Sequence, residues 1–370
     1  SIRGIMYDVI IIGGGISGMI CAITAARRGK SVVLLEKNDK IGKKLLATGN
    51  GKCNLANVNS TIGKYNTDFV NKILTEYPIE KQLDFYASMG LLVKEVEGRF
   101  FPYSEQASVV LNTMRRELDK LKVRVVTSEQ VTHVENGFII NGFKAPKVVL
   151  ATGSKATFGT ESGYLYERFG HLNSRIYPSL VPILTATDNI KGLRGVRLQA
   201  KVKLYVEDRY VAETHDEIIF KDNGVSGTAI FSLSQRLARL GGKSAKLIID
   251  FMPEYTKEQI ENLVKEFDGI DGIFHKEIVS NIMRLSGGNF SKLVGLIKSY
   301  PLENARLGSM ELAQVASGGL AVDGFNEETL ESKYQKGLYA TGEVLDVDGE
   351  CGGFNIMWAC ASGLAVGNNG

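Results

Sequence analysis

The chain has little of several residue types that mark particular classes of protein. Its 370 residues include four cysteines, four histidines and one tryptophan, and the formal net charge is only +3. No run of about eighteen apolar residues occurs, so no segment is expected to cross a bilayer. So small a charge gives no support to a nucleic-acid or membrane partner. With 44% hydrophobic and 23% charged residues, the composition is that of a soluble globular protein of two or three domains.

The few cysteines also limit the chemistry. They lie far apart and form neither a C-x-x-C pair nor a zinc-type spacing with histidine: Cys21, Cys53, Cys351 and Cys360. We therefore expect a reduced, cytoplasmic protein without a bound metal. The residues before Met6 lack the apolar core of a signal peptide, and we expect Met6 to be the native start.

The first 36 residues carry the pattern around which the chain is organised. Residues 7–12 form a short, nearly all-apolar run that is typical of a strand buried in a parallel sheet. An amphipathic helical segment follows, and a second apolar run, residues 31–35, ends on Glu36. Between the first strand and the helix, three glycines fit the pattern G-x-G-x-x-G: Gly13, Gly15 and Gly18.

This order of elements predicts a site for an adenine dinucleotide. The glycines allow a tight turn, a close approach of the pyrophosphate and close packing of helix on strand. The N-terminus of the helix stabilises the phosphate charge. Glu36 is expected to accept hydrogen bonds from the adenosine ribose, and its charge favours FAD or NAD over NADP.

Four later segments are expected to complete this domain. Residues 38–59 form a long loop rich in glycine, asparagine and lysine, which we expect to wrap the cofactor. Two apolar strands end in Ala-Thr-Gly, at residues 147–153 and 336–342. A glycine turn at residues 349–353 then leads into a helix, whose N-terminus is a further candidate anion site beside a flavin.

The middle of the chain interrupts this pattern. Residues 199–251 alternate polar and apolar positions, which indicates antiparallel strands, and helical segments follow up to residue 299. We predict a cofactor-binding domain at residues 6–185 and 305–370, an inserted β-rich domain at 186–253 and a helical subdomain at 254–304. Residues 131–135 are also predicted to be a strand.

With these residues in hand, the chain resembles the BaiN/YhiN-like flavoprotein family, which includes aminoacetone oxidase. The resemblance covers most of the chain. Its matching stretches are IGGGISG (12–18), GKKLLATGNGKCNLAN (42–57), ATGSKATFGTESGY (151–164), PSLVPI (178–183), IKGLRGV (190–196), RLGSMELAQVASGGLAVD (306–323) and GLYATGEVLDVDGECGGFNIMWACASG (337–363). The second and last stretches are the most specific of these.

The resemblance implies an α/β fold: a Rossmann-like FAD-binding domain of the glutathione reductase type, with the inserted β-rich domain and helical subdomain. It implies non-covalently bound FAD. By matching position, the FAD contacts fall on Gly13, Gly15, Ser17, Gly18, Glu36, Lys37, Lys44, Gly49, Gly51, Cys53, Asn54, Ala151, Gly153, Gly342, Glu343, Gly353, Asn355 and Ile356. Glu343 stands where related flavoproteins often place an aspartate on the ribityl chain.

Two stretches depart from the family pattern. Ser154 follows Ala-Thr-Gly where the family usually has a further glycine. Residues 220–228, FKDNGVSGT, replace the family's F-T-H-x-G-x-S-G-P and lose its histidine and proline. Both are expected on the substrate side, so the resemblance does not carry a substrate over to this chain.

The sequence assigns no catalytic acid or base. Each histidine is expected to be a surface or capping residue, since none lies in a recognisable catalytic pattern: His133, His171, His215 and His275. Dithiol chemistry is not expected, because Cys53 is the only cysteine near the predicted flavin unless Cys351 folds back onto it. Hydride transfer at flavin N5 is the expected reaction, with NAD(P)H as a transient electron donor or oxygen as acceptor.

Three functions remain open at this point. The first is an FAD-dependent oxidoreductase acting on a small or medium organic substrate, held between the flavin domain and residues 186–304. The second is a flavin-dependent RNA-modification or regulatory protein, against which the weak net charge counts. The third is an NAD-binding dehydrogenase without flavin. The substrate and the oligomeric state cannot be read from the sequence.

Overall fold

The computed structural model describes residues 6–59, 61, 63–135, 137–156 and 162–369. Within them the chain divides into two compact units. The first, called here the sheet unit, contains the described residues up to Ile176 and those from Val315 onward. The second, the barrel unit, is Tyr177–Gln314.

The elements are numbered along the chain. The α-helices are α1 (Ile16–Arg27), α2 (Lys43–Ala47), α3 (Asn71–Glu76), α4 (Ile79–Ser88), α5 (Ala107–Lys120), α6 (Thr228–Arg239), α7 (Lys257–Glu266), α8 (Lys276–Ser286), α9 (Phe290–Lys298) and α10 (Phe354–Asn368). The strands are β1 (Val9–Ile12), β2 (Val32–Leu35), β3 (Ala56–Asn57), β4 (Val93–Val96), β5 (Arg99–Pro102), β6 (Arg124–Val126), β7 (Ile139–Ile140), β8 (Phe143–Lys144), β9 (Lys147–Leu150), β10 (Tyr177–Ser179), β11 (Ile183–Leu184), β12 (Arg197–Val206), β13 (Arg209–Lys221), β14 (Gly224–Ser226), β15 (Ala245–Asp250), β16 (Tyr300–Leu307), β17 (Val315–Ser317) and β18 (Leu338–Ala340).

The sheet unit is built on a five-stranded parallel sheet in the order β18-β9-β1-β2-β6. Every residue of β1, β2 and β9 is buried, as expected for apolar runs covered on both faces. The predicted buried strand and Rossmann-like order are therefore confirmed. β18 comes from the end of the chain and pairs with β9, so the sheet joins residues more than 300 positions apart.

The glycine turn after β1 leaves no room for side chains at two positions. Gly13 has φ +111°, and a Cβ on it would lie 2.3 Å from the Ala151 carbonyl oxygen. A Cβ on Gly18 would lie 2.0 Å from the Gly13 carbonyl oxygen. The turn brings β1 against the residue that follows β9 and sets α1 close to β1.

Small residues likewise let α10 pack closely on α1. A Cβ on Gly363 would lie 2.7 Å from the Ser17 carbonyl oxygen, and one on Gly367 would lie 2.6 Å from Thr24 Cβ. Close approach of two backbones is a common reason for glycine inside a helix. The first and last α-helices therefore form one layer of the sheet unit.

The barrel unit contains a closed antiparallel barrel in the order β11-β14-β13-β12-β15-β16. Buried and partly exposed residues alternate along β12 and β15, which confirms the period-two pattern read from the sequence. The inward side chains include Val202, Leu204, Leu247 and Ile249, all fully buried. Helices α7, α8 and α9 lie between β15 and β16 in the chain.

The barrel unit begins and ends at different residues from the predicted insertion. It contains both predicted segments, 186–253 and 254–304, as one compact unit with further residues at each end. The reason is barrel closure, because β11 and β16 pair with each other and complete it. The predicted strand at residues 131–135 was wrong, since these residues form no regular element.

Candidate active site

The carboxyl ends of the parallel strands bring the predicted site residues to one edge of the sheet. Gly13 follows β1, Glu36 follows β2, Ala151 follows β9, and Gly342 lies two residues beyond β18. In open α/β sheets, ligands bind in the crevice outside these ends. A Cβ on Gly342 would lie 2.6 Å from Ser17 Oγ, so the exit from β18 meets the start of α1.

The N-terminus of α1 has the features of an anion site. Gly15 occupies the N-cap position in an extended conformation and makes no side-chain cap, and the first turn contains no acidic residue. The first backbone N–H groups of a helix have no partner within the helix. They and the helix dipole favour a negatively charged ligand such as a pyrophosphate.

Glu36 is buried at the end of β2, with 8% of its surface exposed. Its Oε2 accepts a hydrogen bond from the Gly14 amide at 2.8 Å. Its Oε1 accepts from the amide and the side-chain nitrogen of Asn38 at 2.8 and 2.6 Å. A carboxylate can accept about four hydrogen bonds, so the contacts made by the described residues leave one position on Oε2 for a ligand hydroxyl.

A second carboxylate lies in a cluster with a lysine and a serine. Lys44 Nζ donates to Glu343 Oε2 at 2.5 Å. Ser154 Oγ donates to Glu343 Oε1 at 2.6 Å, and the Ala316 amide donates to the same oxygen at 3.0 Å. The Lys44 and Glu343 side chains are only 28% and 18% exposed. The cluster therefore joins the long loop after β2 to the exits from β9 and β18.

The long loop holds its shape through left-handed residues and a buried amide. Gly49 and Asn50 have φ near +55°, and a Cβ on Gly49 would lie 2.9 Å from the Asn54 amide nitrogen. Asn54 is buried, and its Oδ1 has no hydrogen-bond partner among the described residues. Burial raises the pKa of the Cys53 thiol to about 12. Cys53 therefore packs as a neutral residue beneath this loop.

The predicted C-terminal segment meets the same loop. A Cβ on Gly353 would lie 3.0 Å from Asn54 Oδ1, and Asn57 Nδ2 donates to the Gly352 carbonyl at 2.9 Å. Asn355 pairs with both backbone groups of Gly349 at 2.8 Å, which fixes the turn before α10. Gly353 is the N-cap of α10 and makes no side-chain cap.

Two lysine positions differ in how they are placed. Lys43, the neighbour of Lys44, pairs with exposed Asp39 at 2.6 Å on the surface. Lys37 is partly buried, which lowers its pKa. The remaining predicted positions are Gly51, which is exposed, Gly153 with φ +68°, and Ile356, which is half-buried against the core.

The arrangement fits an adenine dinucleotide such as FAD. Two buried oxygens have no hydrogen-bond partner in the described part of the chain. They are the hydroxyl oxygen Oγ1 of Thr152, next to Gly13, and the amide oxygen Oδ1 of Asn54. Buried polar groups usually have partners, so such atoms mark places where a ligand can complete the hydrogen bonding. The two helix N-termini and the two carboxylates supply the complementary donors and acceptors.

Three cysteines and one histidine are packed in the interior: Cys21, Cys53, Cys360 and His171. The expectation that each histidine is a surface or capping residue was therefore wrong for His171. Burial raises the pKa of the Cys21 and Cys360 thiols to about 12. His171 stacks on Phe325 with ring centroids 4.3 Å apart, and burial lowers its pKa to about 4. Among the described residues, no group of three or more histidine, cysteine or acidic side chains is placed to hold a metal ion.

The sequence analysis missed the part played by Ser154 and Thr152. Ser154 was noted only as a departure on the substrate side, whereas its hydroxyl contacts Glu343. Thr152 is the middle residue of the first Ala-Thr-Gly exit, and the close approach of Gly13 to this turn is what buries it. The position of the turn directly after a predicted parallel strand was the available signal.

Comparison with known proteins agrees with this geometry. The family model described as HI0933-like protein Rossmann domain matches residues 7–369. A 3-dehydro-bile acid delta(4,6)-reductase from Clostridium scindens is 34% identical over 98% of each chain. A ribosomal RNA dihydrouridine synthase from Haemophilus influenzae is 27% identical over 96% of each chain. A flavocytochrome c3 fumarate reductase structure shares the fold, with TM-score 0.50 and 14% identity over 99% of this chain and 78% of that one.

The fold and the site together define a class, the FAD-dependent oxidoreductases with a Rossmann-type FAD-binding fold and a barrel-containing second unit. Within that class, the chain belongs to the HI0933-like family. The resemblance to BaiN/YhiN-like flavoproteins that its motifs indicated is confirmed. Among the described residues, no helix combines the length and apolarity needed to cross a membrane.

Proposed function

We propose that the protein transfers hydride through flavin N5 to or from a small or medium organic substrate, with NAD(P)H as a transient electron donor. The observation that carries the proposal is the meeting, at one edge of a parallel sheet, of the uncapped α1 N-terminus, buried Glu36 and the Lys44–Glu343 pair. Bound FAD supplies the redox chemistry at N5. The protein supplies orientation, charge and exclusion of water.

Each residue group has a role in holding the cofactor. The α1 N-terminus, from Gly15 onward, binds the pyrophosphate. Glu36 accepts a ribose hydroxyl at the open position of Oε2, and Glu343 accepts from the ribityl chain. The backbone of the loop around Gly49 and Asn54 covers the cofactor. We propose that the other positions implied by the resemblance also contact FAD, apart from Lys44, which pairs with Glu343.

The N-terminus of α10 has an electrostatic role in the proposal. Its uncapped amides after Gly353 face the end of the loop that carries Asn54. Donors placed where negative charge develops lower the energy of a charged state without reorganisation. We propose that these amides bind the pyrimidine carbonyl of the flavin and favour its reduction.

The activities for which two relatives are named suggest a substrate class. One is a bile acid reductase that acts at delta(4,6) positions of a 3-dehydro compound, and the other forms dihydrouridine. Both names describe saturation of a carbon–carbon double bond conjugated to a carbonyl. We propose the same bond type here, with a hydride from the reduced flavin added to one carbon and a proton from solvent added to the other.

Anaerobic titration of purified, FAD-loaded protein tests the proposal. NADH and NADPH are offered as donors, and flavin absorbance reports reduction. Cyclic enones, quinones and oxygen are then compared as reoxidants. We expect fastest reoxidation by a cyclic enone, with one equivalent of saturated ketone formed. A protein that binds no FAD, or reduced protein that an enone does not reoxidise, would contradict it.

A second candidate is modification of ribosomal RNA, favoured by the name of the Haemophilus influenzae relative. The net charge of +3 is low for a protein that must bind many phosphates. Protein-bound RNA of defined sequence, with affinity that falls steeply with salt, and dihydrouridine formed on unmodified ribosomal RNA would favour this function over a small-molecule reductase.

A further inference from the structure

Ser154 lies at one of the two departures from the family pattern and is a direct partner of Glu343. The Ser154 side chain is buried, with 6% of the residue exposed. Its hydroxyl donates to Glu343 Oε1 at 2.6 Å and accepts from the Ala156 amide at 3.2 Å. A glycine at this position would remove the donor while leaving the backbone path unchanged.

Within the described residues, the hydrogen bonds of Glu343 leave its carboxylate with one open acceptor position. Oε1 accepts from Ser154 Oγ and from the Ala316 amide, which uses both of its positions. Oε2 accepts from Lys44 Nζ and has one position left. The three donors come from separate segments, so together they fix the carboxylate in one orientation.

We propose that Lys44 and Ser154 are positioning residues that hold Glu343 with a single acceptor position directed at the ribityl hydroxyls of FAD. This inference rests on the proposed FAD site. The Lys44 ammonium acts through Glu343 and not as a separate phosphate contact. In this chain the Ser154 hydroxyl fills an acceptor position on Glu343 Oε1 that the family's glycine would leave open. Each oxygen of the Glu343 carboxylate therefore has a defined use.

A thermodynamic cycle on FAD binding tests the arrangement. The dissociation constant of FAD is measured by flavin fluorescence for the wild type, Lys44→Met, Glu343→Gln and the double variant. Loss of a charged hydrogen bond is expected to raise the constant about tenfold in each single variant. If Lys44 acts through Glu343, the dissociation constant of the double variant is no higher than that of the single variant that binds FAD more weakly. The reason is that contacts in one network are not additive.

The hydroxyl is tested separately with Ser154→Ala and Ser154→Gly. Both variants remove the hydrogen-bond donor but differ in side-chain volume. A similar rise of about fivefold in the dissociation constant of FAD in each would therefore show that loss of the hydroxyl weakens binding. Lys43→Met is the matched control, because the neighbouring lysine pairs with exposed Asp39 and not with Glu343. This variant is expected to bind FAD as the wild type does.

Unfolding temperatures of the FAD-free variants separate positioning from general stability. Variants that unfold at lower temperature but bind FAD with the wild-type constant would overturn the inference. Additive effects of Lys44→Met and Glu343→Gln would overturn it as well, since they would make Lys44 an independent contact. A wild type that binds no FAD would instead reject the proposed function.

Discussion

The two units of the molecule differ in whether they bury charged residues. In the barrel unit, the buried polar side chains that the structure describes are uncharged, such as Ser234, Gln235 and Asn281, and ion pairs such as Lys243–Glu207 lie at the surface. In the sheet unit, Glu36 is buried and Glu343 is largely so. Exposed ion pairs contribute little to stability. The sheet unit instead keeps buried polar groups whose hydrogen bonding a ligand can complete. We infer that the sheet unit binds the ligand, whereas the interior of the barrel unit serves packing.

The substitution with the largest expected effect disrupts the packing on which the proposed site of the sheet unit depends. Gly18→Ala places a Cβ 2.0 Å from the Gly13 carbonyl oxygen, where only a backbone shift can relieve the clash. We expect a loss of at least about 3 kcal/mol in unfolding free energy and no FAD binding. Chemical denaturation and flavin content measure both. Near wild-type stability would show that the turn is not as tight as described.

Two other glycines serve as controls for this variant. Gly29 lies at the other end of α1, and a Cβ on it would meet no atom within 4 Å. Its φ is +79°, so alanine there costs about 1–2 kcal/mol through backbone strain alone. Gly15→Ala meets only the Ala151 carbonyl, at 4.0 Å. Its fold should therefore persist while FAD binding weakens, because the methyl group occupies the side from which the pyrophosphate approaches.

The next effect is a pH dependence located in the sheet unit. His171 is 2% exposed, and burial lowers its pKa from 6.5 to about 4. The unfolded chain binds the proton more readily in this interval, so stability is full above pH 6.5 and falls as the pH drops towards 4. The total loss is about 3 kcal/mol. Denaturation series at several pH values measure it.

His171→Phe keeps a ring against Phe325 and removes the titrating group. The variant loses the contact with Ser332, 2.7 Å from the imidazole, so its absolute stability is expected to differ. The slope between pH 6.5 and 4 is the quantity compared. An unchanged slope in the variant would assign the acid sensitivity to other groups.

Substitution of Glu36 sharpens the comparison between buried and exposed carboxylates. Glu36→Gln replaces with a neutral amide the carboxylate that accepts a hydrogen bond from the Gly14 amide and, in the proposal, from the ribose. We expect the dissociation constant of FAD to rise about tenfold or more. Glu207→Gln, which breaks an exposed pair with Lys243 in the barrel unit, is the control and should leave FAD binding unchanged. If both variants raised the dissociation constant of FAD equally, the buried and exposed carboxylates would not differ in their role in binding.

The smallest effect lies in the barrel unit. Thr256 caps α7 by accepting from the Gln259 amide at 3.2 Å, while Gln259 accepts from the Thr256 amide at 2.8 Å. Thr256→Ala should cost about 1 kcal/mol in unfolding free energy. FAD binding should not change, because the cap belongs to the other unit. Calorimetry and a fluorescence titration provide the two measurements, and a loss of FAD would argue against separate roles.

The sequence was most informative where one local pattern determines structure. The strand, glycine turn, helix and Glu36 follow one another, so period and spacing predicted them. Barrel closure could not be predicted in this way, because β11 has only two residues and carries no alternation. The contact of Lys44 with Glu343 joins residues 299 positions apart, and only the tertiary structure determines it.

The place of β18 and α10 has a consequence for how the protein is made. The glycine turn and Glu36 precede the barrel unit in the chain, whereas β18, which pairs with β9, follows it. During translation, one flank of β9 therefore stays open until the barrel unit has been synthesised. Under the proposed function, we expect a chain that stops before β18 to bind no FAD, because it lacks Glu343.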